Sequence, residues 1–275
     1  MAMPNELVFV RHGQSEANII QAAGKADDPH PMEPAINDRP DWRQRLSSKG
    51  IAQAKLAQQW FEENMGGVAS FDALYVSSFL RTRETASYIS GDSDASWIID
   101  DRLIERSWGT FGATPVSERG TQFPHTVKMQ QATSWFTRYD GGENMPDVSG
   151  RFRDFIGTLH RELPDKKVIV VSHGDFINVA RYNIERMLPE QWEEMDSGSQ
   201  YALRNCSIVH YSRVNPADST DVREKLRWRR IVYPDNIAES PDGGAWVELP
   251  NRQQFTGAEL RSQTAISPTL LDPTV

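Results

Sequence analysis

Two tripeptides in this sequence place an imidazole beside a glycine directly after an apolar run: Arg11-His12-Gly13 and Ser172-His173-Gly174. The preceding runs, residues 7–10 and 168–171, are apolar throughout, which predicts two buried strands. Ligands of an open α/β sheet bind just beyond the carboxyl ends of its strands. An arginine, two imidazoles and glycines at such ends therefore predict an anion pocket. For either tripeptide alone, the alternative is a structural histidine in an ordinary turn.

A third strand end carries further cations. Residues 71–76 have the composition of a strand, and a pair of serines then turns the chain into a predicted helix. Arg81 and Arg83 both lie near the start of that helix, so one of them can face the pocket while the other is a solvated surface charge. After the first strand, Ser15 is a suitable N-cap for a helix that begins at the pocket.

Bulk composition limits the class of protein. A chain of 275 residues, 25% charged and 38% hydrophobic, has the size and composition of one large soluble domain or at most two. The net charge of −8 argues against broad nucleic-acid or anionic-membrane binding, so an anionic substrate needs a local cationic pocket. The single cysteine, Cys206, excludes internal disulfides and is interpreted as a small buried residue. Since the pattern contains no signal peptide and no membrane span, we expect a cytoplasmic protein.

Periodicity predicts the rest of the framework. Short strands are predicted at residues 97–99, 208–211 and 226–233, the last two as an edge hairpin. One helix is predicted over residues 149–163 from its apolar spacing, and another begins at Asp175. A helix with Ser47 or Ser48 as its N-cap is predicted to turn a set of apolar side chains inward: Ile51, Ala52, Leu56, Trp60 and Phe61.

Three stretches lack a regular pattern. Residues 24–46 contain four prolines among acidic residues and form a long connection, which is either a functional lid or a solvated insertion. We expect irregular structure over residues 109–124 and a helix within 127–136. From residue 234 onward, the composition predicts a tail that is either disordered or draped over the domain. Four histidines without supporting context are interpreted as surface or packing residues: His30, His125, His160 and His210.

Taken in order along the chain, these motifs resemble those of the histidine phosphatase superfamily, the phosphoglycerate mutase-like phosphatases and mutases. RHGQSEAN (residues 11–18) looks like the family signature, and VSSFLRTRETA (76–86) resembles the segment with a second phosphate-binding arginine. LIERSWGTFG (103–112) is similar to the segment with the proton donor, and VVSHGDF (170–176) to the one with a second histidine. The resemblance covers about residues 6–212. Weaker matches are LSSKGIAQA (46–54), GGE (141–143) and RNCSI (204–208).

The resemblance implies a fold and a set of roles. The implied fold is an α/β protein, a three-layer α/β/α sandwich with a mostly parallel central sheet. The implied organisation is one domain over residues 1–233, with an insertion at 24–46, and a C-terminal extension over 234–275. By the family pattern His12 is the nucleophile and Glu105 the proton donor. The residues that the same pattern assigns to phosphate binding are Arg11, Asn18, Arg81 (rather than Arg83) and His173.

The implied reaction is hydrolysis of a phosphomonoester through a phosphohistidine on His12. A phosphomonoester is a dianion, and its transfer is catalysed mainly by positioning and by fixed cations, which Arg11 and Arg81 supply. Nearby arginines also favour the neutral imidazole that attack on phosphorus requires. Glu105 can protonate the leaving oxygen only if its pKa is raised, as an adjacent phosphate would do. We therefore expect no metal and no cofactor, and the sequence has no metal-ligand spacing.

Two other functions stay open. A phosphoglycerate mutase would return the phosphoryl group to a substrate hydroxyl, but the extra cations of mutases have no confident counterpart here, since residues 112–120 offer only Arg119. A non-catalytic phosphate-binding module would be expected to have lost at least one of the site residues. The expected partner is a small phosphomonoester rather than nucleic acid or a membrane, with its identity and the oligomeric state unspecified. Trp108 is either a stacking surface for an aromatic leaving group or a core residue.

Overall fold

A mixed β-sheet forms the centre of the molecule. The computed structural model describes residues 2–197 and 203–267. Its strands, in chain order, are β1 (Glu6–Arg11), β2 (Ala73–Val76), β3 (Trp97–Ile99), β4 (Lys167–Ser172), β5 (Ile208–Ser212), β6 (Val214–Asn215), β7 (Asp218–Val222), β8 (Trp228–Val232) and β9 (Val247–Glu248).

The order of strands across the sheet is β3-β2-β4-β1-β5-β8-β9, while β6 and β7 form a separate two-stranded ribbon. Strands β3, β2, β4 and β1 run parallel, whereas β5, β8 and β9 are added antiparallel to their neighbours. Parallel neighbours require crossover connections, and here these are helices that cover the two faces of the sheet. The structure is therefore the predicted three-layer α/β/α sandwich.

The helices surround this sheet and vary widely in length. In chain order they are α1 (Glu16–Lys25), α2 (Glu33–Asn37), α3 (Ser48–Met65), α4 (Leu80–Ser90), α5 (Gly109–Ala113), α6 (Val116–Gln122), α7 (Pro124–Ala132), α8 (Met145–Glu162), α9 (Gly174–Glu185), α10 (Pro189–Ser197) and α11 (Gly257–Thr264). Within residues 2–197 and 203–267, none of them combines the length and apolar character that a bilayer crossing needs.

Strand β1 shows why the apolar run at the N-terminus is continuous. Its side chains alternate between the two faces of the sheet: Leu7 and Phe9 join a core with α8 and α9, and Val8 and Val10 join a core with α3 and α4. All four are fully buried. Two helical layers thus bury both faces of the strand, which fixes the point at which it ends and the first polar residues emerge.

Helix α8 begins four residues earlier than predicted because Asn144 caps it. The Asn144 side chain accepts from the backbone nitrogen of Asp147 at 3.0 Å, and the Asp147 carboxylate accepts from the nitrogen of Asn144 at 3.0 Å. The predicted apolar stripe is confirmed: Phe152 and Phe155 are buried, and the ring centroid of Phe155 lies 5.3 Å from that of Tyr75 on β2.

The face of α3 that is buried differs from the prediction. Ser47 is its N-cap and the two aromatic residues point inward as predicted, but Leu56 is 39% exposed and Ala52 is also exposed. The buried stripe instead starts from small residues, among them Gly50 and Ala54, because α3 approaches the backbone of the Arg11-His12-Gly13 turn closely. A Cβ on Gly50 would overlap the carbonyl oxygen of Gln14. Close approach, rather than apolar size, selects this face.

The prediction of irregular structure over residues 109–124 is wrong, since α5 and α6 form there. Side-chain contacts within the segment stabilise these short helices. The Arg119 side chain donates from Nε to the carbonyl of Thr114 at 3.0 Å and lies 4.9 Å over the ring of Phe111. The helix predicted within 127–136 is α7, which begins at Pro124, a residue suited to the first helical turn. Single-sequence patterns do not register contacts of this kind.

The chain after residue 233 is in part draped over the sheet. Strand β9 pairs antiparallel with β8, and Leu249 is only 2% exposed. Strands β5 and β8 pair as predicted, but they are not an edge hairpin, because β1 and β9 flank them. Helix α11 is exposed throughout, and residues 268–275 of the predicted extension lie outside the described residues. The domain boundary at residue 233 stays a prediction.

The close approach of α3 predicts opposite outcomes for two glycine-to-alanine substitutions. Gly50→Ala is expected to lower the free energy of unfolding by roughly 1–3 kcal/mol, because the added methyl group overlaps backbone that is not free to move. Gly150→Ala in α8, where no atom lies within 4 Å of the added Cβ, is expected to raise it by roughly 0.5–1 kcal/mol. Urea unfolding monitored by circular dichroism measures both, and equal effects would contradict this account of the α3 contact.

Candidate active site

The pairing of β1 with β4 brings the two histidines together. The two strands are parallel with Arg11 opposite Ser172, and the backbone nitrogen of His12 donates to the carbonyl of Ser172 at 3.0 Å. The residue after each strand end is a histidine, so their ring centroids lie 5.2 Å apart with the planes inclined at 64°. His12 is 2% exposed and His173 is fully buried.

Hydrogen bonding defines the tautomer of His12. Its Nδ1 lies 2.7 Å from the carbonyl oxygen of Gly13. A carbonyl oxygen only accepts, so Nδ1 carries the proton and Nε2 of the neutral ring keeps its lone pair. Burial, followed by the positive charges of Arg81 and Arg11, lowers the pKa of His12 well below its ordinary value. The ring is therefore a neutral base or nucleophile through Nε2 at physiological pH.

His173 is held from the neighbouring strand end. Its Nε2 lies 2.9 Å from the hydroxyl oxygen of Ser77, and its ring packs edge-on against Phe79 at 5.1 Å between centroids. Its Nδ1 is buried without a hydrogen-bond partner among the described residues. Burial, and then the nearby charge of Arg81, lowers the pKa of this imidazole as well. A bound anion at this position would make the protonated form less costly.

Arg11 is anchored by a loop from the far end of the chain. Its Nη1 donates to the carbonyl of Leu203, and the backbone nitrogen of Cys206 donates to the carbonyl of Arg11 at 3.1 Å. Cys206 is buried, as predicted, with a left-handed backbone at φ 58°. Nε of Arg11 has no partner among the described residues and lies against Gly174, where a Cβ would come within 3.4 Å. The glycine thus leaves room for the guanidinium.

Arg81, not Arg83, faces the two histidines: Arg81 is 4% exposed, and Arg83 points into solvent. The terminal nitrogens of Arg81 donate to the carboxylate of Asp41, Nη1 to Oδ1 at 2.9 Å and Nη2 to Oδ2 at 3.3 Å. Asp41 lies within the 24–46 insertion, and its own side chain is 53% exposed. The insertion therefore reaches the site and covers a forked donor edge that an anion would use.

Asn18 is positioned by the start of α1. Ser15 is the N-cap, as predicted, and its backbone nitrogen donates to Oδ1 of Asn18 at 3.1 Å. Nδ2 of Asn205 donates to the same Oδ1 at 3.0 Å and to the carbonyl of His12. Because its Oδ1 already accepts from two donors, Asn18 can donate to an anion through its amide nitrogen, Nδ2.

Glu105 lies beside this cluster and has the electrostatics of a proton donor. Burial and the neighbouring carboxylate of Asp175 raise its pKa to about 7, although the charges of Arg81 and Arg11 act against the shift. Asp175 is held by Arg106, with Nε and Oδ2 3.0 Å apart. Burial and the nearby carboxylate both favour the protonated form of Glu105.

Contacts with Glu143, Arg106 and Tyr139 hold the segment around Glu105 in place. Glu143, within the Gly-Gly-Glu motif, forms an ion pair with Arg151 at 2.8 Å and accepts from the backbone nitrogen of Ser107 at 2.9 Å. The ring of Trp108 lies 4.8 Å from that of Tyr139, with the guanidinium of Arg106 at 4.0 Å from the Trp108 centroid. Trp108 packs against these side chains but is half-buried, so its two predicted roles, core residue and stacking surface, stay predictions.

The structure brings together the six residues to which the family resemblance gives a role: Arg11, His12, Asn18, Arg81, Glu105 and His173. Of the histidines set aside, His210 is buried and its Nε2 lies 2.9 Å from a carboxylate oxygen of Glu6, a packing role. Sequence reasoning missed Asp41, whose partner is forty positions away, and Asp175. The sequence does contain a signal for Asp175, because this residue directly follows the second His-Gly pair.

Comparison with known proteins gives the family. A family model of the histidine phosphatase superfamily, branch 1, matches residues 7–216. The chain is 28% identical over 169 residues to phosphoserine phosphatase 1 of Hydrogenobacter thermophilus, which covers 61% of this chain and 70% of that protein. It is 27% identical over 215 residues to the 2,3-bisphosphoglycerate-dependent phosphoglycerate mutase of Brucella anthropi, with 74% and 93% covered.

Solved structures agree with this match at the level of the fold. The alpha-ribazole phosphatase from Shigella flexneri superposes with a TM-score of 0.60 at 17% identity, over 80% of this chain and 96% of that one. A mycobacterial glucosyl-3-phosphoglycerate phosphatase superposes with a TM-score of 0.58 at 20% identity, over 76% of this chain and 92% of that one. With the family model matching from the first strand to the β6–β7 ribbon, the chain belongs to the histidine phosphatase superfamily.

Proposed function

We propose that this protein is a metal-independent phosphatase that hydrolyses small phosphomonoesters through a phosphohistidine on His12. The observation that carries the proposal is the tautomer of His12: Nδ1 is bonded to Gly13, so the Nε2 lone pair is available beside Arg11, Arg81 and His173. A phosphoryl group placed among these cations would have its equatorial charge neutralised while Nε2 attacks.

The proposed reaction has two steps. His12 Nε2 forms a bond to phosphorus as the bond to the ester oxygen breaks, and Glu105 transfers its proton to the leaving alkoxide. The Glu105 carboxylate then takes a proton from water as the water oxygen attacks the phosphohistidine, which releases phosphate and restores the imidazole. Asn18 and His173 would hold phosphoryl oxygens in both steps.

Phosphoryl transfer to a second hydroxyl is the alternative, supported by the similarity to a phosphoglycerate mutase over 93% of that protein. Against it, Arg119 is occupied: it bonds the carbonyl of Thr114 and covers the ring of Phe111. The assay that separates the two functions follows 2- and 3-phosphoglycerate together with free phosphate. Interconversion of the two phosphoglycerates without release of phosphate would show that the protein is a mutase rather than a phosphatase.

Trapping of the intermediate tests His12. Wild-type protein mixed with a ³²P-labelled phosphomonoester and quenched in alkali, where phosphohistidine persists, is expected to retain the label, and His12→Ala is expected to retain none. His125→Ala changes an exposed histidine on α7 and is the matched control, with labelling equal to wild type. Equal labelling of the His12→Ala variant would remove this histidine as nucleophile.

The raised pKa of Glu105 predicts a pH profile that depends on the leaving group. For alkyl phosphates, kcat/KM is expected to fall as pH rises through about 7, because the proton that the leaving oxygen needs is then lost. Glu105→Gln should slow alkyl phosphates roughly 10²- to 10⁴-fold and remove this alkaline decline. Nitrophenyl phosphate, whose leaving group needs little protonation, should be much less affected. Equal slowing of both substrates would show that Glu105 is not the acid.

The bond between Asp41 and Arg81 predicts a gain of affinity when the carboxylate is removed. Asp41→Asn is expected to lower KM for a phosphomonoester by up to roughly fivefold, since a phosphoryl group no longer competes with a half-exposed carboxylate for Arg81. Asp38→Asn makes the same charge change at an exposed position of the same insertion and should leave KM unchanged. A raised KM for Asp41→Asn would instead assign this carboxylate to orienting Arg81.

A further inference from the structure

Phe79 is an aromatic residue of the candidate site to which the proposed reaction gives no role. Its ring centroid lies 5.1 Å from that of His173, with the two planes inclined at 72°. The guanidinium carbon of Arg81 lies 4.9 Å from the same centroid, a distance at which a cation and a ring attract one another. His173 is fully buried and Arg81 is 4% exposed, whereas Phe79 is half-buried. The ring therefore extends from these two pocket residues toward solvent.

Core packing does not account for the position of this ring. Within the described residues, Phe79 belongs to neither of the two hydrophobic cores that cover the faces of the sheet. Phe71, which precedes β2, does belong to one of them and is 6% exposed. The ring contacts of Phe79 are instead with an imidazole and a guanidinium, both of them candidate ligands of a phosphoryl group.

The backbone at Phe79 makes an apolar side chain unfavourable there. Phe79 is the N-cap of α4, and its side chain makes no capping hydrogen bond. Asparagine, aspartate and serine are preferred at this position, and an apolar residue in their place typically loses about 1 kcal/mol of helix stability. The N-caps of α1, α3 and α8 are Ser15, Ser47 and Asn144, and each makes the capping bond. A residue that departs from a local rule beside a candidate site points to a role in that site.

A second aromatic residue lies close to Arg81 along the chain of the 24–46 insertion. Nη1 of Arg81 donates to the backbone carbonyl of Asp41 at 2.9 Å, so the insertion passes directly beside the guanidinium that Phe79 contacts. Trp42 is the next residue of the insertion and is 45% exposed. Two separate elements, α4 and the insertion, thus bring apolar surface to the neighbourhood of Arg81.

We propose that Phe79 contacts the leaving group of the substrate and selects phosphomonoesters with an apolar leaving group, an alkyl chain or an aromatic ring, over those of small polar alcohols. This substrate class rests on the proposed phosphatase function. A phosphoryl group held by Arg81 and His173 would have its ester substituent on the solvent side, where the ring of Phe79 is exposed. Apolar atoms that leave water against this ring would stabilise the bound substrate and the transition state together, which raises kcat/KM.

Two alkyl phosphates with the same leaving-group chemistry test this contact. Ethyl phosphate and n-hexyl phosphate both release a primary alkoxide, so both need the same proton from Glu105. The measured quantity is the ratio of kcat/KM for hexyl phosphate to kcat/KM for ethyl phosphate, followed by phosphate release. Wild type is expected to favour hexyl phosphate by roughly fivefold or more, because the four further methylene groups can lie in part against the ring. Any effect of a variant on Arg81 or His173 alters both substrates alike and cancels in the ratio.

Three variants assign the preference to the ring. Phe79→Asn removes the apolar surface and supplies a preferred N-cap, so α4 is expected to form, and the ratio is expected to fall to about one. Phe79→Leu keeps an apolar side chain and is expected to keep a preference for hexyl phosphate. Phe136→Asn makes the same substitution at a residue that is 57% exposed outside the candidate site, and it should keep the wild-type ratio. Circular dichroism checks that each variant is folded.

Three results would overturn the role of Phe79: equal kcat/KM for both substrates in the wild type, a wild-type ratio in Phe79→Asn, or an equal loss of preference in Phe136→Asn. A wild-type ratio in Phe79→Asn with lower kcat/KM for both substrates would make Phe79 a packing residue for Arg81 and His173. In each of these cases turnover by the wild type leaves the proposed phosphatase in place. If the wild type hydrolyses neither alkyl phosphate, the proposed function and the role of Phe79 are both overturned.

Discussion

The parallel pairing of β1 with β4 is the constraint on which the candidate site depends. In the register with Arg11 opposite Ser172, the next residue of each strand is a histidine, and both rings leave the sheet at the same edge. A slip of one residue would turn the apolar side chains of β1 to the wrong faces, so the two buried cores hold the register. The geometry of the imidazoles is thus a by-product of hydrophobic packing on either side of the sheet.

The arrangement of charged groups in the candidate site serves the binding of an anion rather than the stability of the fold. Burial, and then the charges of Arg81 and Arg11, lower the pKa of both imidazoles, and the two guanidinium groups lie close to one another. Two carboxylates offset this crowding from different sides: Asp41 binds Arg81 from the insertion, and Asp175 lies near Glu105 on the first turn of α9. The site is a cluster of cationic groups, and a bound dianion would offset their mutual repulsion.

Local signals made the strand ends and their chemistry predictable. The signals for a strand that ends in His-Gly and for a serine N-cap each lie within a few residues of sequence. The structure has both features as predicted, at His12 and Ser15. What sequence reasoning could not reach depends on distant partners. The buried face of α3 follows from the approach of Gly50 to the Gln14 backbone, and the contact of Asp41 with Arg81 joins residues forty positions apart. No periodicity within a window records such contacts.

The position of β1 in the sheet has a consequence for how the protein is made. Strand β1 is synthesised before both of its neighbours in the sheet, Lys167–Ser172 and Ile208–Ser212. Until residue 172 has been synthesised, the apolar residues 7–10 have neither pairing partner, and until residue 212 they lack one of the two. Nascent chains stopped before residue 167 therefore expose an unpaired hydrophobic strand, the kind of segment that chaperones shield and that seeds aggregation.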